Sequence, residues 1–102
     1  AALPLSTVRP LGIGYCSTTA SGPSSCQRAS KGSWTMDARS MRSMPAFVNE
    51  CIERCRQCDN CRYVSASRLH AACDWFQECK EHHLGLYFGG DTYLTFRVKD
   101  YS

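Results

Sequence analysis

Apolar residues recur at helical spacing in one stretch of the chain, residues 43 to 60, which reads SMPAFVNECIERCRQCDN. Its apolar positions fall on one face of a helix and are Phe47, Cys51, Cys55 and Cys58, with Val48 and Ile52 beside them. Ser43 is suited to cap the N-terminus, and Pro45 falls in the first turn, where its missing N–H costs least. The pattern therefore predicts one amphipathic helix that ends at Asp59-Asn60.

Strand-like patterns follow this helix. CRYVSAS, residues 61 to 67, and CDWFQEC, residues 73 to 79, alternate roughly between apolar and polar positions. LGLYFGGDTYLTFRV, residues 84 to 98, predicts a hairpin with Gly89-Gly90-Asp91 at its turn. One helix followed by several antiparallel strands is an α+β arrangement. The predicted core is Trp34, Phe47, Ile52, Tyr63, Val64, Trp75, Phe76, Tyr87, Leu94, Phe96 and Val98.

Residues 1 to 33 have little periodicity and are rich in Ser, Thr, Gly and Pro, which predicts an extended arm before a domain over residues 34 to 102. Cys16 and Cys26 enclose the loop CSTTASGPSSC in this arm. A bridge between them would contribute roughly 2 to 3 kcal/mol. A polar arm frays when it is free, so we expect this one to pack on a partner. Its candidate contact residues are Leu3, Leu5, Val8, Leu11, Ile13 and Tyr15.

Composition places the chain among small disulfide-rich proteins of an oxidising compartment. Its 102 residues fit one domain and contain eight cysteines, an even number close to the density of secreted scaffolds. The net charge of +3 is short of a nucleic-acid-binding signature. No apolar run approaches the roughly 20 residues of a membrane span. The first residues, AALPLSTVRP, are typical of a mature N-terminus left after export.

The cysteine cluster also matches two metal-binding patterns. The spacing CxxxCxxC from Cys51 to Cys58 occurs in iron–sulfur radical enzymes, which require a barrel much larger than this chain. Cys58 and Cys61 match half of a zinc site. The other half would come from Cys73 and Cys79 or from His82 and His83. We expect no metal and no cofactor, and we expect the histidines, including His70, to be surface residues.

A redox role for the CxxC sequence from Cys58 to Cys61 is disfavoured by its position. A reactive CxxC belongs at a helix N-terminus, where the helix dipole stabilises the thiolate. Here it falls at the predicted C-terminus, and Asp59 adds a second negative influence. The cysteines are therefore expected to be structural.

Disulfide geometry limits how the helix cysteines pair. Residues three or four apart on a helix have Cβ atoms about 5 to 6 Å apart, whereas a disulfide requires about 3.8 Å. The three helix cysteines should therefore bond not to each other but to the three that follow, Cys61, Cys73 and Cys79. On one straight strand Cys73 and Cys79 would be about 20 Å apart. Either the chain bends between these two cysteines, or they do not both pair with the helix.

The order of these residues resembles the PAN/apple module. The matching positions are Cys51, Cys55, Cys61, Tyr63, Ser65 and Cys73. The resemblance implies a helix on a curved antiparallel sheet, with bridges Cys51–Cys73 and Cys55–Cys61. Cys58 and Cys79 are additional to the general pattern, which favours their pairing with each other and leaves Cys16 to pair with Cys26. The string CIERCRQCDNCRYVSAS with ACDWFQEC is also similar to a cysteine-rich variant abundant in dinoflagellate algae.

The resemblance implies a binding module and not an enzyme, because PAN/apple modules bind proteins or carbohydrates. The chain has no Ser/His/Asp spacing, paired carboxylates or phosphate loop, so we expect no catalytic residue. The first hypothesis is an accessory subunit docked on a larger protein assembly, peripheral to a membrane, for example on the lumenal side of an algal photosystem. The alternative is a secreted or cell-surface module that binds glycans through Trp34 and Trp75.

Three arginines could contribute to either kind of binding. Arg54, Arg56 and Arg62 could meet an acidic partner or a glycan, although a solvated helix face is the simpler interpretation.

The cysteine content and the two function hypotheses together give the expected location, an oxidising compartment that is either the thylakoid lumen or the extracellular space.

Overall fold

The computed structural model describes residues 8–17, 26–87 and 89–99. They form one α-helix on a single five-stranded antiparallel sheet of order β1-β5-β3-β4-β2. The elements are β1 Arg9–Ile13, β2 Lys31–Thr35, α1 Met44–Arg56, β3 Tyr63–Ser67, β4 Ala72–Phe76 and β5 Leu94–Arg97, with short 3₁₀ turns at Ser40–Arg42 and Gly90–Thr92. The predicted α+β class, with one helix packed on an antiparallel sheet, is confirmed.

Helix α1 begins as the sequence predicts and ends earlier. Ser43 Oγ accepts the N–H of Ala46 at 3.2 Å, so the predicted cap is formed. The buried face of the helix consists of Phe47, Cys51, Ile52 and Cys55. The helix ends at Arg56 and not at Asp59-Asn60. Cys58 therefore lies in the following turn, where its N–H bonds to the carbonyl of Cys55 at 3.1 Å.

The sheet is buried on both faces at its centre. Val64, Ala66 and Trp75 belong to the core cluster shared with α1. Side chains alternate between the faces of a strand, so Ser65 and Asp74 lie on the opposite face, yet they are 0% and 7% exposed. We call this opposite face the second face. It carries polar groups that require partners from elsewhere in the chain.

The two edge strands come from the region predicted to be an arm. β1 pairs with β5, and β2 pairs with β4 along its whole length. β2 spans Lys31–Thr35, so it crosses the predicted boundary at residue 33. The described part of residues 1 to 33 is thus built into the sheet. Leu3 and Leu5 lie outside the described residues.

The predicted hairpin over residues 84 to 98 is wrong. β5 is hydrogen-bonded to β3 and β1, so both of its sides are occupied by other strands. Gly85 instead forms an isolated bridge with Tyr15, and Gly90–Thr92 is a 3₁₀ turn. The hairpin is displaced because β1 takes the place that its first strand would fill.

The predicted core is largely confirmed. The buried members are Phe47, Ile52, Tyr63, Val64, Trp75, Phe76 and Val98. Trp34 and Phe96 are half-buried against this cluster, and Leu94 is half-buried in β5. The prediction that Tyr87 belongs to the core is wrong, because this residue is 80% exposed.

All eight cysteines form disulfides, and two of the predicted pairs are confirmed. Cys51–Cys73 and Cys55–Cys61 join α1 to β4 and to the turn before β3. The predicted pairs Cys16–Cys26 and Cys58–Cys79 are wrong, since the bridges are Cys16–Cys79 and Cys26–Cys58. With every sulfur in a bridge, none of these cysteines is available as a thiolate for zinc, for iron–sulfur binding or for dithiol chemistry.

Chain direction explains the two wrong pairs. β4 ends at Phe76, so Cys79 has already left the strand and lies beside Cys16. The turn after α1 lies beside Cys26, because the N–H of Asn60 bonds to the Cys26 carbonyl at 3.1 Å. Of the two alternatives for Cys73 and Cys79, the wrong pairing is the one that holds, because Cys79 does not bond to a helix cysteine.

Candidate interaction surface

Four large apolar side chains are exposed among the residues that the structure describes. They are Ile13 at 59%, Leu69 at 76%, Leu86 at 59% and Tyr87 at 80%. Ile13 ends β1, and Leu69 follows the end of β3, so both lie where β1 and β3 finish and β4 and β5 begin. We call these four side chains the apolar rim.

Three aromatic rings contact one another at the same end of the sheet. The ring centroids of Tyr15 and Tyr93 are 5.8 Å apart with an interplanar angle of 80°, an edge-to-face contact. His70 stacks on Tyr93, also at 5.8 Å, with an angle of 23°. Both arrangements are favourable for aromatic rings. We call these three residues the aromatic cluster.

Backbone hydrogen bonds join the apolar rim to the aromatic cluster. The N–H of Tyr15 donates to the carbonyl of Gly85 at 3.0 Å, and the N–H of Gly85 returns to the carbonyl of Tyr15 at 2.8 Å. The N–H of Gly90 donates to the Tyr87 carbonyl at 3.0 Å. Leu86 lies between Gly85 and Tyr87 in the chain. The loop that carries Leu86 and Tyr87 is therefore fastened beside the aromatic cluster.

The Tyr15 ring requires glycine at its contact with the backbone. A Cβ atom on Gly90 would lie 2.8 Å from the Tyr15 ring. Gly14, the preceding residue, has φ of +123°, and a Cβ there would lie 2.6 Å from Leu84 Cβ. Only glycine suits both the conformation and the space at position 14.

A chain of hydroxyl groups fastens the Gly14–Cys16 segment to the second face. The N–H of Cys16 donates to Ser65 Oγ at 3.1 Å, and Thr95 Oγ1 donates to the Gly14 carbonyl at 2.6 Å. The two hydroxyl oxygens are 2.7 Å apart. Since the single hydroxyl proton of Thr95 is used on Gly14, Ser65 must donate to Thr95. One relay thus satisfies a buried donor and a buried acceptor of the segment.

A second relay with the same order supports the other side of the rim. The N–H of His70 donates to Ser67 Oγ at 3.4 Å, and Thr92 Oγ1 donates to the Gly89 carbonyl at 2.7 Å. Ser67 and Thr92 are 2.8 Å apart, and by the same proton count Ser67 donates to Thr92. The two relays hold separate loops against β3.

The surroundings on the second face also raise the pKa of Tyr93, the ring that contacts both others in the aromatic cluster. Burial raises the pKa of Tyr93 above its ordinary value of 10.0, and the negative charge of Asp74 and the neighbouring Tyr15 raise it further. Asp74 is itself a hydrogen-bond acceptor, since Ser33 Oγ donates to its Oδ1 at 2.7 Å. Tyr93 therefore remains a neutral phenol well into the alkaline range.

The predicted contact residues of the arm divide between the rim and the core. Ile13 belongs to the apolar rim and Tyr15 to the aromatic cluster. Val8 instead packs against the core cluster, and Leu11 is half-buried within β1. Only the end of the predicted contact segment is therefore available to a partner among the residues described.

The three predicted arginines lie in different environments. Arg54 pairs with Glu50 at 3.2 Å and Arg56 with Glu53 at 3.3 Å. Residues two positions apart on a helix lie about 200° apart around its axis, so these two side chains diverge. The Arg56 side chain is only 12% exposed. Arg62 belongs to the turn before β3, where its carbonyl accepts the N–H of Val98.

A shallow groove of about 800 Å³ lies between α1 and residues 37–42. Its charged lining balances Arg39, Arg42 and Arg56 against Asp37, Glu50 and Glu53. Hydrogen bonds from Ser40 hold the pKa of Asp37 below its ordinary value. Because the two signs are balanced, the groove has no preference for ligands of either charge.

Of the two tryptophans predicted to bind glycans, Trp75 is inaccessible and Trp34 is half-buried. Trp75 is fully buried, and Trp34 stacks over it with ring centroids 5.9 Å apart and an angle of 22°. A sugar ring would need an exposed aromatic face, and the Trp75 face is covered. The two tryptophans serve as core packing between β2 and β4.

Sequence reasoning missed most of the rim. The three predicted surface histidines, His70, His82 and His83, are exposed as expected. The stacking of His70 on Tyr93 was not predicted, and Tyr87 was assigned to the core. Leu69 alone gave a usable signal, because a leucine in the polar turn SRLH has no obvious place in a core.

Neither the described residues nor the comparisons with known proteins identify a metal site, a membrane span or a family. Within residues 8–17, 26–87 and 89–99, no group of three or more His, Cys, Asp or Glu residues is placed to hold a metal ion. Among the helices that the structure describes, none has the length and apolar character needed to cross a membrane. The chain matches no protein-family model, and no curated protein or solved structure is significantly similar to it.

Proposed function

We propose that this protein is a non-enzymatic interaction module that docks on another protein through the apolar rim. The observation that carries the proposal is the position of the four exposed large apolar side chains. Leu69, Leu86 and Tyr87 belong to the loops that hold the aromatic cluster, and Ile13 is exposed at the same end of the sheet. The centres of protein interfaces are enriched in aromatic residues and depleted in charge. Exposed leucine, isoleucine and tyrosine side chains at the end of the sheet that also holds three clustered aromatic rings have that composition.

The charges beside the rim favour a protein partner over an anionic membrane. Membrane-surface sites combine apolar side chains with free Lys or Arg that meet lipid headgroups. Arg68 is the cation next to Leu69, and its Nε and Nη2 both donate to the Met41 carbonyl, at 2.9 and 2.7 Å. Its guanidinium group is therefore engaged within the protein.

The framework beneath the rim favours tight docking. The two hydroxyl relays and the Tyr15–Gly85 backbone pair fix the loops that carry the exposed side chains. A surface that is ordered before binding loses less conformational entropy when a partner binds. This arrangement suits a subunit that stays in one complex.

Four disulfides indicate an oxidising compartment. Within that class we propose the thylakoid lumen or the extracellular space. The more specific version, an accessory subunit on the lumenal side of an algal photosystem, is supported by the PAN/apple-like resemblance in its dinoflagellate form. It is the version to test first, because native complexes can be isolated from such cells.

Site-specific photo-crosslinking in the native source tests this proposal. A benzophenone amino acid would replace Tyr87, which is 80% exposed, and in a matched control it would replace Gln57, an exposed residue just after α1. Illumination of isolated complexes should join the Tyr87 position to a single protein, with adducts at defined residues of that partner. The Gln57 control should give no adduct.

Three results would contradict the proposal. One is a chain that sediments as a free monomer in native extracts and gives no adduct from position 87. Another is adducts to lipid alone, which would assign the rim to a membrane surface. A third is adducts to glycan alone, which would revive the carbohydrate-binding alternative.

A further inference from the structure

We infer that the Cys16–Cys79 disulfide is a reducible latch that controls the apolar rim. Both of its cysteines are half-exposed. In the other three bridges at least one cysteine is fully or almost fully buried: Cys58 is 2% exposed, and Cys51, Cys55, Cys61 and Cys73 are 0% exposed. Thiol–disulfide exchange requires access to a sulfur atom, so the four bridges differ in the first condition for reduction.

A surface hollow gives a reductant access to this bridge. The hollow has a volume of about 580 Å³ and is lined by Cys16, Ser17, Glu78, Cys79 and Lys80. Both bridged cysteines are part of its wall. A small dithiol fits in a space of this size.

The charges around the hollow favour a thiolate on balance. Lys80 follows Cys79, and the ammonium group of Lys31 reaches the same place from β2, where Nζ bonds to Ser17 Oγ at 3.3 Å. Glu78 is the opposing carboxylate in the lining. Nearby cations stabilise both the attacking thiolate and the thiolate that leaves.

The reaction needs a dithiol as its reductant. One reductant thiolate attacks the sulfur of Cys79, the S–S bond breaks, and Cys16 leaves as a thiolate that takes a proton from water. The second thiol of the reductant loses its proton and attacks the mixed disulfide, releasing Cys79 as a thiolate that is protonated in turn. Two electrons and two protons pass to the protein, and the reductant becomes a disulfide.

Opening this bridge would release Tyr15 and so loosen the aromatic cluster beside the apolar rim. Cys16 is adjacent to Tyr15, whose ring contacts Tyr93 and lies against Gly90. The bridge joins positions 63 residues apart in the chain. Without it, the contacts of the Gly14–Cys16 segment with the described residues are the Ser65–Thr95 relay, the Tyr15–Tyr93 ring contact and neighbouring backbone bonds. The remaining three bridges keep α1 and the sheet together.

Limited reduction with dithiothreitol tests the latch directly. The native protein would be treated for increasing times, quenched with an alkylating reagent, and digested for mass spectrometry. We expect Cys16 and Cys79 to be alkylated about tenfold faster than the other six cysteines, because the buried bridges react only after local opening. Reduction of Cys26–Cys58 first, or of all four bridges together, would overturn the inference.

A variant pair tests the link between the latch and the rim. In Cys16→Ser/Cys79→Ser, NMR signals of the Tyr15 and Tyr93 rings should shift, while those of Phe47 and Trp75 should stay. The matched variant Cys26→Ser/Cys58→Ser should leave the Tyr15 and Tyr93 signals in place. Unchanged Tyr15 and Tyr93 signals in the first variant would contradict the latch.

The effect on docking rests on the proposed function. If the oxidised protein docks and Cys16→Ser/Cys79→Ser does not, both proposals stand. If both forms dock equally, the latch has no control over the rim and fails. If the oxidised protein does not dock, the proposed function fails, while the reduction and NMR results still decide whether the latch exists.

Discussion

Small hydroxyl side chains explain how loops can cover a sheet face without leaving buried polar groups unpaired. Ser65 and Ser67 occupy alternate positions of β3, and each passes a hydrogen bond to a threonine that reaches a loop carbonyl. A buried donor or acceptor without a partner costs about 1 to 3 kcal/mol. The alternation of CRYVSAS therefore separates a face packed on α1 from a face whose hydroxyl groups hold the loops of the aromatic cluster.

Removal of one hydroxyl should weaken the molecule measurably. We expect Ser65→Ala to lower the free energy of unfolding by about 1 to 3 kcal/mol, because the Cys16 N–H loses its acceptor. The control Ser30→Ala, at an exposed position, should change it by less than about 0.5 kcal/mol. Urea denaturation with the disulfides intact measures both values, and equal losses would refute the relay.

Tyr93 should lose its phenolic proton at a higher pH than an ordinary tyrosine does. Burial raises its pKa, so the unfolded chain releases this proton at a lower pH than the folded protein does. The stability that Tyr93 contributes is therefore fully present below pH 10 and falls as the pH rises further. NMR titration of the Tyr93 ring, assigned with Tyr93→Phe, measures the pKa. A midpoint at or below 10.0 would contradict the burial of this ring.

At the scale of elements, local signals were reliable and long-range ones were not. The Ser43 cap, the apolar stripe of α1 and the strand in CRYVSAS could be predicted because each depends on neighbouring residues. The hairpin over residues 84 to 98 failed because β1, from the other end of the chain, pairs with β5. The end of α1 was placed too late because Cys58 continues the apolar spacing without being helical.

The two bridges of α1 should differ in their contribution to stability. Cys51–Cys73 closes a separation of 22 residues and Cys55–Cys61 one of 6. Restriction of the unfolded chain then gives about 3 kcal/mol for the first and about 2 kcal/mol for the second. Urea denaturation of Cys51→Ala/Cys73→Ala and Cys55→Ala/Cys61→Ala should reproduce this order. A larger loss for the shorter loop would argue against the entropic explanation.

At the scale of the whole molecule, two bridges attach the N-terminal region to the rest. Cys16–Cys79 and Cys26–Cys58 connect positions 63 and 32 residues apart. Neither pair follows from spacing, because each depends on where loops cross the folded sheet. Together with β1 and β2 they make this region part of the sheet and of the candidate site.

The candidate site could not be predicted from the sequence, because it too depends on where loops cross the folded sheet. The aromatic cluster brings together Tyr15, His70 and Tyr93, which come from three distant segments. The prediction of Ile13 and Tyr15 as contact residues of the polar arm finds one side chain of the apolar rim and one ring of the aromatic cluster. Leu86 and Tyr87 fall in the first strand of the predicted hairpin, with Tyr87 expected in the core, and only the folded chain shows them exposed.

The rim as a docking surface is tested most directly by native isolation of the tagged double variant Leu86→Ser/Tyr87→Ser from its source cells. The matched control is Gln57→Ser/Asp59→Ser, at exposed positions near the opposite end of the sheet. We expect the rim variant to keep its thermal unfolding midpoint but to sediment as a free monomer, while the control sediments with the complex. Equal retention of both variants in the complex would contradict docking through the rim.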